Sequence, residues 1–213
     1  MSSPLDVVNA AHNAFRHDIA AIDAAALGAA QGKPGLEATV ERFHLFNEVL
    51  TWHASGEEAG IFPALEPVAP SVVTAYEIDH RGLDLAFDGL SKAVSAHDPL
   101  GTARATAAFK FHLDLHLFKE ETHLFPIFEE RLSRDDQGHA VGALGSAVPP
   151  DRFPDFVTWL FPLVDDDDRE KVVRFFHMVV PPGPFEGIIR TVKSAIGDDF
   201  AELARRIPEL TTT

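Results

Sequence analysis

Two stretches of the chain repeat the same set of histidines and glutamates. WHASGEEAGIFPALE, residues 52–66, and LHLFKEETHLFPIFE, residues 115–129, align at an offset of 63. The identical pairs are His53/His116, Glu57/Glu120, Glu58/Glu121, Phe62/Phe125, Pro63/Pro126 and Glu66/Glu129. The same offset relates His80 to His17. The repeated unit is a lone histidine followed by H-x-x-x-E-E-x-x-x-F-P, which indicates that one half of a site has been built twice.

The spacing of four between histidine and glutamate predicts their arrangement. Residues four apart on a helix share a face, so an imidazole and a carboxylate stand side by side. We therefore predict that Glu57 and Glu120 point inward, and that Glu58 and Glu121 act as caps, surface charges or partners of the inward groups. The predicted convergent set is His17, His53, Glu57, His80, His116 and Glu120.

A bound metal would explain why carboxylates lie on apolar helix faces. Burying a carboxylate costs several kcal/mol unless it is paired or bound to a cation. Imidazole with carboxylate suits iron better than magnesium or calcium, which prefer oxygen ligands alone. Manganese and zinc are the alternatives. The chain has no cysteine, which excludes disulfides and thiolate-bound metals.

The net charge and the hydropathy of the chain argue against some classes of partner and predict where the protein is located. A formal charge of −15 argues against nucleic acid or an anionic membrane as partner. The N-terminus lacks a secretory pattern, and no apolar run is long enough to span a membrane. We therefore expect a cytoplasmic protein with no membrane partner.

Apolar residues recur at helical spacing in four long segments. These run from Leu5 to about Gly28, from about Leu36 to Pro63, from Ser71 to about Ala96 and from about Thr102 to Arg134. Short connections between them predict an all-α fold, an up-down-up-down four-helix bundle with a short helical C-terminal extension. We expect Pro63 to kink or end the second helix.

The predicted domain organisation has three parts. Residues 1–137 form the bundle, residues 138–153 a linker of small residues, and residues 154–213 a helical extension packed on the bundle. Within the extension, the acidic run Asp165–Asp168 is interpreted as the N-terminal cap of a helix, in preference to a cation site.

The pattern H…HxxxEE…FP…H…HxxxEE…FP resembles the hemerythrin-like, HHE cation-binding family over about residues 5–134. The resemblance implies two non-heme iron ions, oxo- or hydroxo-bridged, held by the six residues of the convergent set. It also implies reaction with a small diatomic or peroxide ligand: dioxygen, nitric oxide or peroxide. A di-iron oxidoreductase that consumes peroxide or nitric oxide is one interpretation, with no separate catalytic side chain assigned. An iron or oxygen sensor, or a storage protein without turnover, is the alternative.

Several residues near the repeat remain outside it. Oxygen-carrying hemerythrins have another histidine one turn before the third-helix ligand, where this chain has Tyr76. We predict that Tyr76 is either a phenolate ligand or a group beside the site, an ordinary core tyrosine being the alternative. His112 and His123 are interpreted as neighbours of the ligands, and His12 as a core histidine.

Overall fold

The structure is a computed structural model that describes residues 3–207 and 210. The first half of the chain contains α1 (Asp6–Ala30), α2 (Leu36–Gly56), α3 (Phe62–Leu65), α4 (Pro70–Ser95), α5 (Pro99–Lys119) and α6 (Phe125–Arg131). The second half contains α7 (Arg134–Gly145), α8 (Phe153–Leu160), α9 (Asp166–Val179), α10 (Pro182–Ile196) and α11 (Phe200–Arg206). The described residues form no strand, so the all-α prediction is confirmed.

Phenylalanine rings connect the four long helices of the bundle. The ring of Phe15 on α1 lies 5.8 Å from that of Phe46 on α2, and Phe46 lies 6.2 Å from Phe109 on α5. Phe87 on α4 lies 5.7 Å from Phe109 and 5.0 Å from Phe43 on α2. Edge-on and stacked aromatic pairs at these distances stabilise a core beyond the area they bury. They fix the spacing between the helices that carry the predicted ligands.

Each repeat contains one π-helical turn, Glu57–Ile61 in the first and Glu120–Leu124 in the second. The amide of Phe62 donates to the carbonyl of Glu57, and the amide of Phe125 donates to that of Glu120, five residues back in both cases. A proline ring clashes with the carbonyl four residues before it, and a wider turn ahead of Pro63 and Pro126 relieves that clash. The prolines thus change the helix type locally, and a short helix follows each turn.

Part of the predicted linker is a helix. Residues 138–145 belong to α7, whose N-cap is Ser133, the side chain of which accepts from the amide of Asp136. This helix packs on the first π turn, where a β-carbon at Gly56 would lie 2.6 Å from the backbone oxygen of Leu144. A β-carbon at Gly60 would be closer still to the oxygen of Ala140. Helix α7 has only a weak apolar period: it buries Gln137, Ala140 and Val141, and its backbone packs against Gly56 and Gly60.

Spatial proximity divides the chain into two compact units, Phe15–Ala147 and a second made of Met1–Ala14 with Val148–Thr213. The first 14 residues therefore group with the C-terminal helices, whereas the predicted division placed them with the bundle. Packing of the extension on the bundle stays a prediction. The ends of the predicted segments, residues 1–2, 208–209 and 211–213, lie outside the described residues.

The C-terminal helices form their own core, in which α10 packs on α8 and α9 packs on α11. Val157, Leu160, Val172, Val192 and Leu203 are fully buried. The side chain of Asp165 accepts from the amide of Asp168 and caps α9, as predicted for the acidic run. Among the described residues, no helix combines the length and the apolar character needed to cross a bilayer.

Candidate metal centre

The first repeat places an imidazole and a carboxylate in contact where α2 meets the first π turn. Nε2 of His53 lies 3.3 Å from Oε1 of Glu57, with both side chains buried. The His53 ring packs edge-on against Phe15, 5.2 Å away. The pair therefore lies inside the bundle, as the four-residue spacing predicts.

The second repeat forms the same pair at the end of α5. Nε2 of His116 lies 3.3 Å from Oε1 of Glu120, again with both side chains buried. His80 enters from α4, with Nε2 at 3.4 Å from the second oxygen of Glu57 and its ring 5.0 Å from that of His116. The ligand atoms of Glu57, His80, His116 and Glu120 all lie within 4.8 Å of one another.

The two buried carboxylates titrate in opposite directions. Burial raises the pKa of Glu57, but His53 and His80 outweigh it and hold the value well below the ordinary one. Burial also raises the pKa of Glu120, and the charges of Glu57, Glu121 and Asp79 add to that shift. Two like charges so close oppose each other, so Glu57 favours its ionised form and Glu120 its protonated form.

His80 also favours its charged form. Burial lowers its pKa, but the neighbouring carboxylates of Glu57 and Glu58 raise it to about 9. In the metal-free protein near neutral pH, an imidazolium thus lies beside the ionised Glu57.

The donor atoms fit a cation. Both oxygens of Glu57 and Nε2 of His80 are buried without a hydrogen-bond partner, although each faces the cluster. Buried polar atoms of this kind normally have a partner, and a site where several converge fits a bound cation. Three imidazoles with two carboxylates are the ligands preferred by iron, manganese or zinc.

The structure does not bring His17 into this group, which corrects the prediction for α1. His17 is exposed, whereas His12 on the same helix is completely buried. His17 lies two residues from both Phe15 and Ile19, which are buried, so its side chain points to the opposite face. The offset of 63 that relates His53 to His116 and Glu57 to Glu120 therefore fails on α1.

The buried stripe of α1 follows that of α4 at a different offset. Shifting α1 by 68 places Leu5, Val8, His12, Phe15, Ile19, Ile22 and Ala26 on Val73, Tyr76, His80, Leu83, Phe87, Leu90 and Val94. His12 thus has on α1 the position that His80 has on α4. Matching the apolar stripes, in place of the histidines alone, would have predicted that His12 is buried and His17 is not.

Tyr76 lies beside the cluster and donates its hydroxyl to the carbonyl of Lys119 at 2.6 Å. Its ring centroid is 6.2 Å from that of His116. Burial raises the pKa of Tyr76, and the charges of Glu120 and Asp79 raise it further, so the phenol keeps its proton. This arrangement favours the second of the two predicted roles, a group beside the site.

The remaining candidates lie around the cluster. His112 and His123 are both exposed, and His112 lines a shallow cavity of about 270 Å³ together with His116. Glu58 binds Nδ1 of His80 at 2.9 Å, and Glu121 accepts two hydrogen bonds from Arg16.

A larger cavity opens onto the cluster between α2, α4 and α5. Its volume is about 420 Å³, and its polar wall includes His53, Glu57, His80 and His116. Phe87 and Phe109 form part of its apolar wall. A small molecule in this cavity would be in contact with the donor groups.

A sequence model of the hemerythrin HHE cation-binding domain matches residues 3–128, more than half of the chain. The chain belongs to the hemerythrin HHE cation-binding domain family. The residues matched include both repeats, so the buried histidines and glutamates lie in the family's domain. No solved structure matches the chain.

Curated relatives of this hemerythrin-family chain come from Arabidopsis thaliana. Zinc finger protein BRUTUS is 24% identical over 186 residues, which are 84% of this chain and 15% of that protein. Zinc finger protein BRUTUS-like At1g74770 is 24% identical over 184 residues, 80% of this chain and 14% of that protein. The chain thus spans about 15% of the length of these relatives. It has no cysteine, so it contains no thiolate-bound zinc finger.

Proposed function

We propose that this chain is a non-heme di-iron protein that reacts with small oxidants: peroxide, nitric oxide or dioxygen. The observation that carries the proposal is the buried group of three imidazoles and two carboxylates, with two oxygens of Glu57 and Nε2 of His80 facing it without hydrogen bonds. Two carboxylates provide four oxygens, and together with the imidazoles they would supply the donor atoms for a pair of ions.

Each residue has a role in this proposal. Glu57 and Glu120 would supply the negative charge that holds the ions, and His53, His80 and His116 would bind from the surrounding helices. Bound iron would supply the redox chemistry at coordination positions that these side chains leave open. The apolar wall of the 420 Å³ cavity would keep bulk water from a small oxidant there.

The test is anaerobic reconstitution with ferrous ions, followed by measurement of iron per chain and of the optical spectrum after oxidation. We expect about two irons per chain, an absorption band of a bridged ferric pair, and consumption of peroxide or nitric oxide faster than by free iron. A Glu57→Gln, Glu120→Gln double variant is the control, since it keeps the volume of the site and removes both charges. Iron binding by that variant equal to the wild type would contradict the proposal, as would turnover no faster than free iron.

A sensor is the second candidate, and the packing of α7 favours it. This helix packs on the π turn that begins at Glu57. A shift of Glu57 on metal binding would therefore change the packing of α7 against Gly56 and Gly60. The sensor interpretation predicts that protease sensitivity near residues 138–153 differs between the metal-free and the loaded protein. Identical cleavage in both states, together with rapid turnover of peroxide, would favour the enzyme instead.

A further inference from the structure

The cavity beside the donor cluster is much larger than the small oxidants named above. Its volume is about 420 Å³. A water molecule takes up about 30 Å³ of the liquid, and hydrogen peroxide, nitric oxide and dioxygen are of the same order of size. An apolar cavity of about 150 Å³ already holds benzene. Room for an organic group therefore remains when ions and an oxidant occupy the end of the cavity beside the cluster.

The cavity is elongated, because each helix that lines it continues beyond the cluster with an apolar side chain. Leu50 lies one turn before His53 on α2, and Phe87 lies two turns after His80 on α4. Phe109 on α5 lines the same region. The stretch of helix from His80 to Phe87 is about 10 Å long. The cavity thus extends away from the donor atoms over a length that a diatomic molecule would not fill.

The residues that line the cavity differ in polarity with their burial. Thr51, Ser55 and Asp84 are exposed, and they mark where the cavity opens to solvent. Farther inside, Leu83 is half-buried and Phe109 is fully buried. A molecule inside the cavity would therefore contact donor groups at the cluster and apolar side chains along its length.

Such a wall suits an organic molecule with one polar end better than it suits hydrogen peroxide. A hydroxyl that faces leucine and phenylalanine side chains loses its hydrogen bonds to water and gains none in return. An alkyl or aryl group in the same place is stabilised by burial, which strengthens binding roughly fourfold for each methylene removed from water.

We propose that this cavity binds the organic group of an alkyl or aryl hydroperoxide, with the peroxide group at the donor cluster. This inference rests on the proposed function and names the class of peroxide. Reduction breaks the O–O bond of the hydroperoxide ROOH. Two protons and two electrons, the electrons coming from two ferrous ions that become ferric, give the alcohol ROH and water. The side chains of the wall hold R, and Leu50 is the residue that we use to test them.

The first test measures ligand binding to the metal-free chain and requires no turnover. Primary alcohols from ethanol to 1-hexanol stand in for the hydroperoxides, and ¹⁵N-labelled protein reports their affinity by chemical-shift titration. We expect the affinity to rise roughly fourfold with each added methylene. Leu50→Trp, which fills the cavity, should abolish this dependence on chain length. The matched control is Leu85→Trp on α4, an exposed position that does not line the cavity, and it should leave the dependence unchanged.

The second test compares cumene hydroperoxide with hydrogen peroxide in a single turnover of the anaerobic ferrous protein. We expect cumene hydroperoxide to react faster and to yield one molecule of 2-phenyl-2-propanol for each two ferrous ions oxidised. In Leu50→Trp the ratio of the two rates should fall roughly tenfold or more, as expected when contact with two or more methylenes is lost. The ratio should not change in Leu85→Trp.

The outcomes separate this inference from the proposed function. Alcohol affinity that does not depend on chain length in the wild type would overturn the inference alone, even where Leu50→Trp fails to fold. Equal losses of affinity in Leu50→Trp and Leu85→Trp would do the same. A wild-type chain that binds the alcohols but neither binds iron nor consumes any oxidant would overturn the proposed function, and the hydroperoxide reaction with it.

Discussion

Glu57 and Glu120 have carboxylate oxygens within 4.8 Å of each other in the buried cluster, yet their pKa values are shifted in opposite directions. The imidazoles of His53 and His80 keep Glu57 ionised, whereas burial and the charge of Glu57 keep Glu120 protonated. The metal-free site therefore balances its charges with protons that a cation would have to displace.

Metal binding should release protons, and affinity should rise with pH. Near pH 7 we expect a loaded centre to release about two protons, one from Glu120 and one from Nε2 of His80, because ligands must be deprotonated. Calorimetric titration with Co²⁺ in two buffers of different ionisation enthalpy measures this number. Binding without proton release, or with an affinity that does not change between pH 6 and pH 8, would contradict it.

The metal-free protein should lose stability as pH rises from about 6.5 to about 9. His80 holds its proton with a pKa of about 9 in the folded chain and 6.5 in the unfolded chain. A raised pKa of this kind contributes stability that is complete below 6.5 and is lost as pH rises through 9. The raised pKa of Glu120 acts in the same direction, since its stabilising proton is also lost as pH rises.

Thermal unfolding of the metal-free protein, followed across this pH range, checks the prediction. The control is His80→Gln, in which the decline between pH 6.5 and pH 9 should be smaller because the group that titrates there is absent. A wild-type midpoint that stays level or rises over the same range would contradict the assignment of the proton to His80.

His17→Ala should bind metal as the wild type does, whereas His53→Ala should not. His17 is exposed on α1, while His53 is buried and lies 3.3 Å from Glu57. Metal content after reconstitution and dialysis distinguishes the two variants. Equal losses in both would show that α1 turns in solution to bring His17 inward.

The sequence predicted five members of the cluster because two independent signals agreed for them. His53, Glu57, His116 and Glu120 occur both in the repeat and at a spacing that places them on one helix face, and His80 lies on the apolar stripe of α4. His17 was predicted only because the repeat offset of 63 relates it to His80. The helical phase of α1, set by residues such as Phe15 and Ile19, conflicts with it, and burial follows the phase.

Features that depend on close backbone packing were not predictable from periodicity. The π turns begin at Glu57 and Glu120, and a glutamate does not itself predict a wider helical turn. The prolines six residues later are the only local indication of one. Helix α7 has little apolar period of its own, since its place depends on two glycines of another helix, Gly56 and Gly60. Such a helix can be predicted only when the surface that it packs on is known.

Tyr76→Phe should leave metal content unchanged and remove no absorption band from the ferric protein. The phenol donates to the carbonyl of Lys119 and its pKa is raised, so it is not a phenolate that could bind iron directly. Loss of the hydroxyl removes this part-buried hydrogen bond, which should cost about 0.5–1.5 kcal/mol in the free energy of unfolding. A phenolate-to-iron band in the wild type that disappears in Tyr76→Phe would show direct ligation instead.

Gly60→Ala should destabilise the protein and weaken metal binding together. A β-carbon there would press on the backbone of α7 at Ala140 and Leu144, which cannot move aside as a flexible side chain would. Overpacking of this kind costs about 1–3 kcal/mol, and the strain falls on the π turn that begins at Glu57.

The matched control is Gly82→Ala on α4, where a β-carbon would meet nothing within 4 Å. Because alanine is the better helix former, this variant should gain about 0.5–1 kcal/mol and bind metal normally. Chemical denaturation and Co²⁺ titration of both variants give the comparison. A Gly60→Ala protein as stable as the wild type would mean that α7 does not pack closely on the first π turn, and the sensor interpretation would lose its structural basis.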